Sequence, residues 1–300
     1  MAKRMETRSA RILALVLALI MIGSVVVYVF KGSTKASERE IKFEMGKFPK
    51  LLNYTPYGAQ FIICLNFKNL DRESELYGML DDVFKNQIDP YSFSHLALAD
   101  KTGIRSVLIA KYPYPLYFVD VNRSKVYFAS ESKEEYKGYK VKLRRGVALI
   151  DEISPFVLGY PTFVFEVVDL IENNNDSIGS HIYNYTDRIC EFVNYSDFSY
   201  ALILYDEYAK NMLISKNESV GDFYFVGYRM NNSIYEKVVA IHFTKNGFFA
   251  SSNKTKNATA YYYFKNFDDG LSIAKIGGHN LTKLESIYPE MRLVEIKMAE

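Results

Sequence analysis

Residues Ile12–Phe30 read ILALVLALIMIGSVVVYVF, nineteen positions without a charge or a proline. A helix rises 1.5 Å per residue, so this run spans about 28 Å, close to the hydrocarbon thickness of a bilayer. Lys3, Arg4, Arg8 and Arg11 precede it against a single Glu6. Cationic flanks stay cytoplasmic, so the spacing predicts a transmembrane signal anchor over 12–30, a basic cytoplasmic stub over 1–11 and everything after Phe30 outside the cell membrane. A cleaved signal peptide has a shorter apolar region, about 7–15 residues, and a small-residue cleavage site. Thr34-Lys35-Ala36 is a poor one.

Asparagine spacing bears on topology independently. Asn-x-Ser/Thr is the acceptor for N-glycosylation on the outer side of a membrane. It occurs at Asn53, Asn122, Asn175, Asn184, Asn194, Asn217, Asn231, Asn253, Asn257 and Asn280, ten of nineteen Asn, all beyond the apolar run. With 33 Ser and Thr in 300 residues, composition alone predicts about two. A glycan must face solvent, so these asparagines are expected at the surface of a glycoprotein.

Composition limits the rest. The chain is 49% apolar and 24% charged with only 8 Pro and 16 Gly, which excludes a disordered or collagenous polymer. The net charge of +2 belongs to the N-terminal stub, so no nucleic-acid partner is implied. Two cysteines rule out a disulfide-dense scaffold. Cys64, in a predicted strand, and Cys190, in a predicted helix, are a possible disulfide in an oxidising compartment.

Beyond a short polar stalk at 31–53, residues 54–300 alternate strand and helix signals. Gln60–Phe67 (QFIICLNF) reads as a buried strand. Asp71 is expected to cap a helix carrying Leu76, Leu80, Val83 and Phe84 on its inner face. Short strands follow, with hairpin turns expected at Asn122–Ser124 and at Arg145-Gly146. Pro161 suits the first turn of a second helix, and Ser177 or Ser180 caps a third. Strands return at Tyr200–Tyr205, Asp222–Tyr228 and Tyr235–Phe243, with a possible helix around Asp268–Lys275. This order predicts an α+β class, an N-terminal transmembrane helix and an extracytoplasmic domain of mostly antiparallel sheets with packed helices. Two related sheet-plus-helix halves, 54–175 and 176–300, are conceivable.

Lys101–Ile104 (KTGI), Tyr136–Tyr139 (YKGY), Ala148–Asp151 (ALID), Leu158-Gly159, Val168-Asp169 and Ser177-Ile178 occur in an order that resembles membrane-anchored extracytoplasmic domains of unknown function from archaea and bacteria. The likeness spans roughly residues 55–205. It implies an α+β fold of repeated sheet-plus-helix units and no established activity, so no catalytic residue is carried over.

Reading the residues for chemistry yields no catalytic, cofactor-binding or metal site. His95, His181, His242 and His279 lack metal-ligand spacing. Asp81-Asp82, Glu134-Glu135 and Asp268-Asp269 are adjacent carboxylates that point apart on a helix, and read as solvated faces. Tyrosine is abundant, 25 residues with no Trp. Tyr112, Tyr114 and Tyr117, and Tyr261, Tyr262 and Tyr263, are candidates for a partner or glycan surface. The expectation is a single-pass cell-surface protein with a non-catalytic binding or scaffolding role in the envelope. An envelope hydrolase with a dispersed site, or an accessory subunit of a membrane complex, is the alternative.

Overall fold

The computed structural model describes residues 40–88, 90–94, 96–98, 103–122, 126–173, 176–193, 198–215, 217–251 and 259–293. The basic stub, the apolar run Ile12–Phe30 and residues 31–39 of the expected stalk lie outside these residues, as does His95. Among the described residues no helix is long and apolar enough to cross a membrane.

One twelve-stranded sheet organises the domain. Its strands are β1 (Phe61–Asn66), β2 (Ile104–Lys111), β3 (Leu116–Val121), β4 (Ser132–Tyr136), β5 (Tyr139–Arg144), β6 (Val147–Ile150), β7 (Phe156–Gly159), β8 (Tyr200–Tyr205), β9 (Gly221–Asn231), β10 (Ile234–Phe243), β11 (Tyr261–Asn266) and β12 (Leu271–Gly278). The helices include α1 (Glu75–Gln87), α2 (Pro161–Asn173), α3 (Ile178–Phe192), α4 (Asp206–Met212) and α5 (Leu281–Glu285), with a short helix at Pro90–Ser94 and a 3-10 turn at Lys50–Tyr54. Strand order is β11-β12-β10-β9-β8-β1-β2-β3-β7-β6-β5-β4, and every neighbouring pair is antiparallel. The class is α+β with a mostly antiparallel sheet.

The order is close to a palindrome about the central β1–β8 pair. On one side, leaving out the short helix Pro90–Ser94 and the strand Leu96–Leu98 that lie outside this sheet, the order is strand, helix, two strands (β1, α1, β2, β3). On the other it runs β8, α4, β9, β10. Both inserted helices lie on the same face, with Leu76 and Leu80 of α1 and Ala209 of α4 in one apolar cluster. The β1–β8 pairing joins the two sides into one continuous sheet.

Alternation along β8 explains the layering. Ala201, Ile203 and Tyr205 point into a core beneath α2 and α3, while Tyr200, Leu202 and Leu204 point to the α1 side and stay half-buried. Helix α2 begins with Pro161, whose missing N–H costs nothing there, and buries Val164, Val167 and Val168. Ser177 caps α3, its Oγ accepting from Ser180 N at 3.2 Å.

Several local expectations change. Ser74, not Asp71, caps α1, because Asp71 is occupied in a turn, accepting from Glu73 N at 3.1 Å. Residues Asp268–Lys275 form no helix: Gly270, at φ +92°, makes the turn into β12, whose residues alternate between the two faces. Val126–Phe128 pairs with Leu96–Leu98 instead of folding back on β3. Arg145-Gly146, at φ +45° and +78°, does join β5 to β6. The stalk also shortens. The described residues from Ile41 onward form one compact unit, and Met45, Phe48, Leu51 and Leu52 are buried against the sheet, so the segment ahead of residue 54 belongs to the domain.

Candidate functional site

Strand ends meet at one edge of the central sheet. There β1 ends at Asn66, β2 and β8 begin, β3 ends near Asp120, and β9 turns into β10 through Asn232-Ser233. Two segments fold over this edge: the loop leading to Ser74 ahead of α1, and residues Lys47–Leu51. Between them lies a half-open cleft of about 690 Å³, within the range of about 300–1,000 Å³ usual for small-molecule sites.

Its floor is apolar. Phe48, Leu51, Cys64, Leu108 and Phe198 are all buried and belong to the core under α2 and α3. Gly227 makes room for the Phe198 ring: a Cβ there would sit 2.6 Å from Phe198 Cε1. Phe198 then meets Phe225 edge-on at 5.4 Å. The rim is polar and exposed, with Lys47, Lys68, Asn69, Asp71, Arg105, Asn232 and Ser233.

Charge on the rim is unevenly compensated. A register shift between Ile104 and Ser106 leaves Arg105 as the extra residue of a bulge, which turns its side chain across to Asp120 at 2.5 Å. Among the described residues neither Lys47 nor Lys68 has a carboxylate within ion-pair distance. Burial pushes the Cys64 thiol up to about 12, so it stays protonated and poorly nucleophilic.

A second polar cluster sits at the opposite strand ends. His242 Nδ1 lies 2.5 Å from Asp222 Oδ1 and 3.2 Å from the Tyr185 hydroxyl, and Nε2 lies 2.9 Å from the Asp269 carbonyl. Arg188 pairs with the Asp269 carboxylate at 3.1 Å. The Asp222 hydrogen bond favours the charged ring and raises the His242 pKa, with burial opposing. Nδ1 and Nε2 are both engaged by protein oxygens. The cluster pins α3 to the sheet.

The tyrosine candidates do not form one surface. Tyr112 is buried, stacks on Phe163 at 4.2 Å and donates its hydroxyl to the Pro56 carbonyl. Tyr117 is fully buried against the edge of Phe93 at 4.8 Å. Alternation on β3 and packing under α2 take these two inward. Tyr261 and Tyr262 are half-buried and hydrogen-bonded to Glu236 and to the Ala250 carbonyl. Tyr114 and Tyr263 are each 60% exposed, but they belong to distant parts of the sheet.

Cys64 and Cys190 are both free thiols. Cys64 points into the core from β1, whereas Cys190 follows the inward Ile189 on α3 and is exposed, so the disulfide expectation is corrected. Asn53, Asn122, Asn184, Asn217, Asn231 and Asn280 are exposed. Asn280 also caps α5, its Oδ1 accepting from Lys283 N at 2.7 Å. Asn175, Asn194, Asn253 and Asn257 lie outside the described residues. Sequence reading missed the cleft; its one local sign was the run of turn-forming and basic residues Lys68-Asn69 after a buried strand.

Sequence comparison places the chain. A family model described as AF_2048_N, family N-terminal domain, matches residues 44–172. An uncharacterized protein from Archaeoglobus fulgidus (strain ATCC 49558) is 38% identical over 299 residues, covering 97% of this chain and 95% of that one. The chain belongs to this family. Its matched N-terminal domain holds β1 to β7 with α1 and α2, so the cleft draws Phe198, Ser199 and the β9–β10 turn from beyond that domain. Among solved structures, crystal form I of TP0453 aligns with a TM-score of 0.42 and 10% identity, covering 79% of this chain and 97% of that one. Crystal form III aligns at 0.39 and 10% identity, covering 79% and 98%.

Proposed function

We propose that this chain is a single-pass, membrane-anchored cell-surface glycoprotein whose outer domain binds a ligand in the envelope without transforming it. The observation that carries the binding role is the cleft at the central strand ends. It joins an apolar floor to a polar rim, the usual composition of a recognition site. Its titratable groups are poorly suited to acid–base or nucleophilic work: Asp120 is ion-paired, Asp71 is engaged in a turn and Cys64 is held as a thiol. The uncharged run Ile12–Phe30 and its cationic collar support the anchor, and the exposure of six acceptor asparagines is compatible with glycans.

Two measurements test this reading. Protease added to intact cells should digest residues 41–300, and mass spectrometry should find hexose-bearing asparagines. The full chain, extracted from native membranes, should release a stoichiometric small molecule or partner on denaturation. A protease-resistant domain would remove the anchor. A ligand-free protein that turns over a substrate would remove the non-catalytic role.

A further inference from the structure

We infer that the cleft takes an anionic amphiphile, a small molecule with one apolar body ending in a carboxylate or phosphate. The inference rests on the binding role proposed above and adds the chemical class of the ligand. Phe48, Leu51 and Phe198 offer an aromatic and aliphatic bed, which favours a ligand that is itself apolar along most of its length. The entrance selects the other end. Arg105 is already paired with Asp120, which leaves Lys47 and Lys68, neither of them ion-paired among the described residues, against the one carboxylate of Asp71, so the mouth carries an excess of positive charge. A cation would meet more positive than negative charge there. A polyanion such as nucleic acid would need a broad basic surface, which a chain of net charge +2 with its excess in the leader does not offer. A negative head is drawn to the excess positive charge of the mouth, while its apolar remainder covers the floor.

The test uses the full chain in membranes from expressing cells. Three photoactivatable diazirine probes share one twelve-carbon chain and end in a carboxylate, a monophosphate or an alcohol. Adducts are mapped by mass spectrometry to peptides holding Phe48–Leu51 and Phe198-Ser199. The anionic probes should label these peptides about tenfold more than the alcohol. The double variant Lys47→Glu with Lys68→Glu should lose that preference, whereas Lys133→Glu, exposed on β4, should keep it. Preference for only one of the two anions identifies the head group and upholds the class. Equal labelling by the alcohol overturns the ligand class but leaves the cleft as a binding site. No labelling of these peptides by any probe overturns the inference.

Discussion

Gly277 lies directly beneath the ring of Tyr261, its antiparallel partner on the neighbouring strand, and a Cβ at residue 277 would collide with that ring. The missing side chain lets Tyr261 reach across β12 to β10, where its hydroxyl donates to Glu236 Oε2 at 2.5 Å. Glu236 Oε1 in turn accepts from Arg229 Nε at 2.5 Å. A buried carboxylate is thus satisfied from both sides by one row of residues spanning four strands.

Substituting Gly277 with Ala should therefore displace the Tyr261 ring and cost about 1–3 kcal/mol. Tyr261→Phe keeps the ring but leaves Glu236 short of a donor, at a similar cost of about 1–3 kcal/mol. Urea unfolding of both variants checks this. If Gly277→Ala melts like the parent protein, the close approach is unimportant.

His242 predicts a pH dependence of stability. Its pKa is raised above the ordinary histidine value by Asp222, with the Asp269 carbonyl and carboxylate adding to it and burial opposing. A raised folded-state pKa contributes stability fully below the unfolded value, about 6.5, and loses it as pH climbs through the folded value. Thermal melts should fall above about pH 6.5. In His242→Gln this part of the decline should be absent.

Thiol reactivity distinguishes the cysteines. Cys190 is exposed and Cys64 is buried, with its thiol raised to about 12. A maleimide should modify one thiol in the native protein and two in denaturant. An intact mass two hydrogens lighter under non-reducing conditions would instead indicate a disulfide.

Lys237 is wholly buried, yet it donates to the carbonyls of Glu285 at 2.9 Å and Ile287 at 2.8 Å, with its ammonium 3.8 Å from the Tyr288 ring centroid. Burial lowers its pKa to about 8, and the Glu285 carboxylate opposes that shift. It holds the chain that leaves α5. Lys237→Met should orphan those carbonyls and cost about 1–3 kcal/mol. Faster hydrogen exchange confined to residues 281–293 would separate a local pin from a general loss of stability.

Much of the local structure was legible because it depends on neighbours in sequence. Alternation in YALILY marks β8, Pro161 marks the start of α2, and Arg145-Gly146 marks a hairpin. Local signals misled where two readings share them. Asp268-Asp269-Gly270 can begin a helix or close a hairpin, and only the pairing of β12 with β10 and β11 selects the second. Tyr112 and Tyr117 look like surface tyrosines beside two prolines, and only α2 and residues 90–94 packing over them make them core.

Periodicity, turn chemistry and an uncharged run of nineteen residues are read along the chain, so the α+β class, most element types and the expected anchor needed nothing but the order of residues. The cleft is different. Phe48, Cys64, Leu108 and Phe198 are far apart in sequence and share one floor because β8 pairs with β1 and β1 with β2. Long-range pairing depends on which strand edges find each other, and that choice is made by the burial of whole faces rather than by any single segment.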